Sequence, residues 1–407
     1  MCYWFATAFS MGASNVLQFA LALYVLEMTG SSGVYASILS IIVFPRILLT
    51  PIAGVIGDRR RKIELIKSLN FITVIIMAIF SIYSYYMRDF QLLMVYLLVI
   101  ILEIIEVFYQ AAESSILPEI IDKELLGEAA TLAKIDDGIV YVTTPLLGAL
   151  LYKNFGITGS FIAVACLLAV ATFLNIFIKT PNEAPLVKHD SSDVKQYWVE
   201  FKEGIEELKK DKFIKNFVFI SPVINLSFSA VFNVVITFLL LEIYGTSEYI
   251  YGLYRAITAS MVLIVPLLVL PIVKKCRTEV LLKNSSLIIS ICIFLIAVAS
   301  YIGINGNEKV QVITIFVIAF LDCITIASVM PLHLSISVFY QKNIKDEYRS
   351  RIMSVSRMLS LSSIPIGSMF YGLLTDRIPI YYCLAIGALG VFIVYPYIKH
   401  QFREEII

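Results

Sequence analysis

The chain has 407 residues, 59% of them hydrophobic and only 15% charged, with a formal net charge of +1. A soluble domain carries about 25% charged residues, and a nucleic-acid binder carries a strongly basic face, so this composition argues against both. Repeated apolar runs of about 18 or more residues with few charges place the chain in a bilayer.

Twelve membrane-crossing helices are predicted, over residues 2–26, 33–57, 63–87, 90–113, 126–152, 157–179, 214–243, 249–273, 279–303, 309–339, 350–375 and 379–398. Each is long enough for a core of about 30 Å at 1.5 Å rise per residue. The first apolar run starts at Met1 with no basic region ahead of it. The expectation is that no signal peptide is cleaved and that a few residues precede this start.

In chain order, span one carries Asn15 and Gln18 on one face. Span two carries Arg46, about 18 Å from its outer end, and span four carries Glu103 at about the same depth. A charge inside a span costs at least about 2.5 kcal/mol on insertion scales, so it faces a cavity or a partner. An Arg46–Glu103 pair therefore fits the depths, either as a structural tie or as a functional group. Glu106 follows three residues after Glu103 on the same face, with Gln110 further along the same span. Asp136 and Asp137 are adjacent near the cytoplasmic end of span five and face different sides, which suits interfacial positions.

The one long polar stretch, 180–213, separates six spans from six. It opens on Thr180-Pro181-Asn182-Glu183-Ala184-Pro185, which cannot continue a helix. Val194, Trp198, Phe201, Ile205 and Leu208 then recur at helical spacing on a lysine- and glutamate-rich segment. That pattern predicts an amphipathic helix lying along the membrane, with partner binding as the alternative. The predicted domains are thus a six-helix bundle over 1–179, a linker over 180–213 and a second bundle over 214–407. Beyond the linker, span seven carries Asn225 and Asn233, span eight Arg255, and span ten Asp322 near its middle and His333 near its end. The polar uncharged residues serve either as substrate contacts or as helix glue.

The charges orient this map. With both termini cytoplasmic, 26 of the 32 basic residues fall inside and six (Arg46, Arg88, Lys153, Arg255, Lys309 and Arg377) fall elsewhere. One missed or extra span would destroy that asymmetry. The chain also repeats. Glu124 with Lys134, and Glu347 with Arg357, share an offset of 223 residues, and each pair runs into a helix with Pro and Gly. Two related halves fit a parallel-repeat transporter.

The six cysteines (Cys2, Cys166, Cys276, Cys292, Cys323 and Cys383) lie mostly in apolar runs with no C-x-x-C spacing, so they read as fillers rather than as a metal site or disulfide framework. His189, His333 and His400 occupy unrelated segments, and no G-x-x-x-x-G-K-[ST] occurs. No catalytic set, metal or cofactor is expected, and ATP is not the expected energy source.

One loop is more specific than composition. Gly54-Val55-Ile56-Gly57-Asp58-Arg59-Arg60-Arg61-Lys62 resembles the loop between the second and third spans of major facilitator superfamily transporters, G-x-x-x-D-R-x-G-R-R/K, with Arg61 in the glycine slot. Thr29-Gly30-Ser31 is similar to the family's outer turn, Phe44-Pro45-Arg46 with Pro51-Ile52-Ala53-Gly54 to its span two, and Arg349-Ser350-Arg351-Ile352 to the start of its span eleven. The bacterial branch of macrolide-efflux and enterobactin-export proteins is the most similar. Pro145-Leu146-Leu147-Gly148 keeps part of the antiporter G-P-x-x-G pattern, with Thr144 for its first glycine.

The resemblance implies an all-α integral membrane protein of two six-helix bundles, in a bacterial plasma membrane. It implies alternating access and a secondary exporter of amphipathic small molecules driven by protons. Lipid and cargo are then the expected partners, nucleic acid is not, and a monomer is expected. A uniporter, a nutrient importer or a lysophospholipid flippase is the alternative. In that fold spans one, four, seven and ten line the cavity, so Glu103, Glu106 and Asp322 become its acidic residues, suited to carry protons or bind cations. Asp58 would meet the N-terminus of span eleven and Arg351 in a cytoplasmic latch, with Gly54 and Gly57 allowing close approach and Arg59 and Lys62 beside it.

Overall fold

The computed structural model describes residues 2–59, 61–87, 91–121, 126–178, 193–210, 212–275, 278–344 and 346–404. Among them every regular element is helical and no residue is in a strand. Among the described residues, ten helical stretches are long and apolar enough to cross a membrane. One of these, Ile135–Ile176, belongs to a 51-residue element, α6 (Leu126–Ile176), in which Gly156 leaves helical geometry at φ 62°. Predicted spans five and six thus meet at a single glycine rather than across a loop, because only glycine takes a positive φ without steric cost.

Three other predicted spans are divided, each by the same chemistry. The second is α2 (Ser32–Ile41) and α3 (Val43–Arg59), the seventh begins with α8 (Lys212–Val218) and α9 (Ile220–Ala230), and the twelfth is α15 (Ile380–Phe392) and α16 (Val394–Glu404). The last residues before the breaks, Ile41, Val218 and Phe392, each precede a proline (Pro45, Pro222, Pro396) by four positions. Proline has no N–H for the carbonyl four residues back, and its ring collides with that carbonyl. After α9, span seven continues through the π-helical segments Val231–Val235 and Leu239–Ile243, with α10 (Ile236–Phe238) between them.

Cα packing divides the chain into two compact units. Unit 1 holds Met1–Met28, Ile41–Tyr197 and Ser247–Ala256. There α4 (Lys62–Met87) packs on α5 (Leu92–Ile120) and α6, and α3 packs on α5. Ile63, Ile66, Tyr109, Ala112 and Ile116 form a core cluster, joined by Tyr3 of α1 (Cys2–Thr29). Unit 2 holds Thr29–Ser40, Trp198–Thr246 and Ile257–Ile407. In it α12 (Thr278–Ile304) runs along α13 (Glu308–Asn343) and α15, while α9 runs along α14 (Asp346–Thr375). The change from unit 1 to unit 2 falls inside α7 (Asp193–Lys210), the predicted amphipathic helix, where Leu208 is buried and Lys202, Lys209 and Lys210 are exposed.

Large apolar side chains cover the outside: Phe316 and Phe320 of α13 are 71% and 67% exposed, and Phe44 of α3 is 70% exposed. A water-facing surface does not carry such rows, whereas lipid costs them nothing. The chain is a multi-pass membrane protein.

Candidate functional site

In unit 1, α5 and α3 bring together the two charges matched by depth. Arg46 Nε donates to Glu103 Oε1 at 2.8 Å. The Glu103 side chain is 4% exposed and that of Arg46 33%, so the pair has an inner and an outer member. One turn along α5, Glu106 accepts from Gln110 Nε2 at 2.9 Å and from Ser14 Oγ of α1 at 3.4 Å. Beside Ser14, Asn15 buries its Nδ2 with no hydrogen-bond partner among the described residues. Gln18 is exposed. Three helices of unit 1 therefore supply two carboxylates, a guanidinium and three neutral polar groups, and charge inside a span is costly enough to need a partner or a cavity.

Deeper in unit 1, Ser10 Oγ donates to Asn70 Oδ1 at 3.1 Å, and the buried Asn70 Nδ2 has no partner among the described residues. Tyr152 donates to Glu27. No spacing in the chain marks either contact, although Asn70 interrupts an apolar run. Pro145 stays inside continuous α6, and Thr144, in the glycine slot, bonds its hydroxyl to Val140 O at 2.6 Å. Gly148 lets α6 approach Phe19, whose Cδ1 lies 3.0 Å from where a Cβ would sit. Arg255 is half-buried in the short segment of span eight that belongs to unit 1.

Unit 2 buries Asp322 of α13 at 2% exposure. Asn233 lies in the first π-helical segment and donates to Ser229 Oγ at 3.2 Å. Asp322 and Asn233 belong to unit 2, and Arg46, Glu103 and Glu106 to unit 1.

Of the predicted latch, Gly54, Gly57, Asp58 and Arg59 lie in the last turns of α3 and Arg351 in the second turn of α14, but the side chains of Asp58, Arg59 and Arg351 lie outside the described residues, as does Arg60 entirely. Arg61 is exposed and pairs with Glu64 at 3.3 Å, and Lys62 starts α4. No group of three or more metal-ligating side chains occurs among the described residues.

Two turns share one geometry. Gly30 and Gly245 both turn the chain at φ 58°, and Ser31, one residue on, and Ser247, two residues on, cap the helices that follow. Ser31 Oγ accepts from Val34 N at 3.2 Å and Ser247 Oγ from Ile250 N at 3.4 Å.

Comparison with known proteins agrees with this architecture. The sequence is 24% identical over 383 residues to Macrolide efflux protein A of Streptococcus pyogenes, covering 92% of this chain and 89% of that one. A bacterial homologue of the iron transporter ferroportin in its inward-facing state superposes with a TM-score of 0.73 at 15% identity, covering 97% and 96% of the two chains. The nucleoside transporter NupG superposes at 0.76 with 11% identity, covering 98% and 99%. At these identities the structural likeness speaks for the fold alone. The family pattern of the Major Facilitator Superfamily matches residues 3–368, and this chain belongs to that superfamily of transporters.

Proposed function

We propose that this transporter is a proton-coupled exporter of amphipathic small molecules that works by alternating access. The observation that carries the reading is the Arg46–Glu103–Glu106 group, with Ser14 and Gln110 completing its bonds. Buried carboxylates in a span can take up and release protons and can bind a cationic cargo group. The likeness to a macrolide efflux protein supports export and an amphipathic organic cargo. Twelve spans with both termini in the cytoplasm follow from the charge asymmetry, as two bundles over 1–179 and 214–407 joined by 180–213. The site is a bacterial plasma membrane, and the working form is a monomer in lipid.

Two proton-carrying candidates lie in different units, Glu106 and Asp322; Glu103, Arg46, Arg255, Asn15, Gln18 and Asn233 are the further candidates for cargo or proton contact. The test is drug susceptibility and accumulation in expressing cells, with and without an uncoupler. Accumulation that falls on expression and recovers with the uncoupler is expected. Indifference to the uncoupler overturns the coupling. In inverted vesicles, Glu106→Gln and Asp322→Asn are each expected to lower proton-driven uptake about a hundredfold, the lower end of what proton-transfer groups contribute; unchanged uptake removes that residue from the mechanism.

The cytoplasmic latch is proposed at Gly54, Gly57, Asp58, Arg59, Lys62 and Arg351, with Pro145 and Gly148 shaping span five. Asp58→Asn is expected to slow transport severalfold while surface expression is unchanged, because losing a charge at a helix N-terminus shifts a population rather than a fold. Wild-type transport in that variant overturns the latch.

A further inference from the structure

Residues Thr29–Ser40 pack as part of unit 2, although the chain on both sides of them, Met1–Met28 and Ile41–Tyr197, belongs to unit 1. They form a strap, bounded by the Gly30 turn at one end and by the helix break ahead of Pro45 at the other. Three contacts fasten it along α14. The Asp376 carboxylate accepts from Ser32 N at 3.0 Å, Gly33 N at 3.1 Å, Ser31 Oγ at 2.7 Å and Ser32 Oγ at 2.9 Å. One turn on, the same Ser32 hydroxyl, whose one proton is shared with Asp376, lies 2.9 Å from Gly372 O, and a Cβ on Gly372 would come within 2.5 Å of Ala36 Cβ. Ser40 Oγ donates to Pro365 O at 3.0 Å.

The first contact is a helix cap supplied from a distant helix. The first amides of α2 have no partner within their own helix and carry the positive end of its dipole, and an anion answers both. Asp376 is itself exposed, so water can replace it and the bonds can be released.

A second strap runs the other way. Ser247–Ala256 packs in unit 1 while its flanks belong to unit 2. Gly252 lies against Ala149, with 2.5 Å from its would-be Cβ to Ala149 Cβ, and Tyr251 stacks on Phe19 at 5.5 Å. Ala36 and Gly252 are 216 residues apart, and Ala149 and Gly372 are 223 apart, the offset already seen between Glu124 and Glu347. The two contacts are thus repeat copies with glycine and alanine exchanged. The clasp is not copied: 223 residues before Asp376 stands Lys153, which is exposed.

We propose that Asp376 is the releasable clasp of the first strap and sets how often both straps let go together. Any change in the relation of the two units pulls on both straps, since each belongs to one unit by chain and to the other by packing. The inference rests on the alternating-access reading. It places a carboxylate at the end of span eleven against the N-terminus of span two, the reverse of the Asp58 latch, at the opposite end of the same two spans.

The test is hydrogen–deuterium exchange on the full-length protein in lipid nanodiscs, comparing wild type with Asp376→Ala and the milder Asp376→Asn. In Asp376→Ala, exchange at residues 31–40 is expected to rise about tenfold, since exchange follows local opening and the clasp makes several charge-assisted bonds. Residues 247–256 are expected to rise with it, while α12 stays unchanged as a check on folding. Asp376→Asn should give a smaller rise in the same two segments, because it keeps one acceptor oxygen. A rise confined to residues 31–40 overturns the clasp as a control on both straps, and no rise overturns it altogether. The readout needs no cargo, so a wrong substrate or coupling ion leaves it interpretable.

Discussion

Arg46→Ala is expected to lower stability in detergent by about 3 kcal/mol, because it leaves the 4%-exposed Glu103 as a buried charge without its guanidinium. Breaking a buried pair costs more than the pair contributes, since desolvation of the remaining partner is no longer offset. The double variant Arg46→Ala/Glu103→Gln should recover much of that loss, because the amide removes the stranded charge. Thermal unfolding of the four members of the cycle, followed by monodispersity on a sizing column, measures the coupling. Equal melting of Arg46→Ala and wild type would mean that the contact at 2.8 Å carries no net energy. Transport separates two roles for the pair: a structural tie predicts that the double variant regains export with its stability, and a proton or cargo group predicts that it does not.

The other large effect is expected at Gly367. A Cβ there would fall against the carbonyl of Leu226, where α14 lies on α9. The obstacle is backbone, so no rotamer change relieves it, and overpacking of this kind costs typically 1–3 kcal/mol, about the upper end here. Gly367→Ala should therefore unfold at markedly lower temperature, and Gly367→Val should fail to yield monodisperse protein. By contrast, Gly12→Ala should melt as wild type, since its Cβ would meet only Val140 Cγ1, at an ordinary 3.9 Å. Equal behaviour of Gly367→Ala and Gly12→Ala would show that the helices part there without cost.

Much of this architecture was legible in the chain. A bilayer requires about 20 apolar residues per crossing, so apolar runs report spans directly. The Arg46–Glu103 contact was also legible, because rise per residue gives depth and two opposite charges at one depth in lipid need each other. Helix breaks were only half legible. Pro45, Pro222 and Pro396 end a helix four residues earlier, while Pro145, Pro331 and Pro365 sit within continuous helices. The local penalty is the same in kind for all six, so what differs is the packing around each.

Depth says nothing about azimuth. Ser14 reaches Glu106 from 92 residues away, and Ser32 reaches Asp376 from 344 away, although no spacing in the chain marks either pair. The linear chain carries membrane residence, the basic loops, the Gly-Ser turns and the 223-residue repeat, because each depends on neighbours in sequence or on the solvent around a span. Which faces of the helices meet depends on the packing of whole units. Only that packing turns Glu106 towards Ser14, seats Gly372 on Ala36 and brings an exposed aspartate at one helix end to cap the start of another.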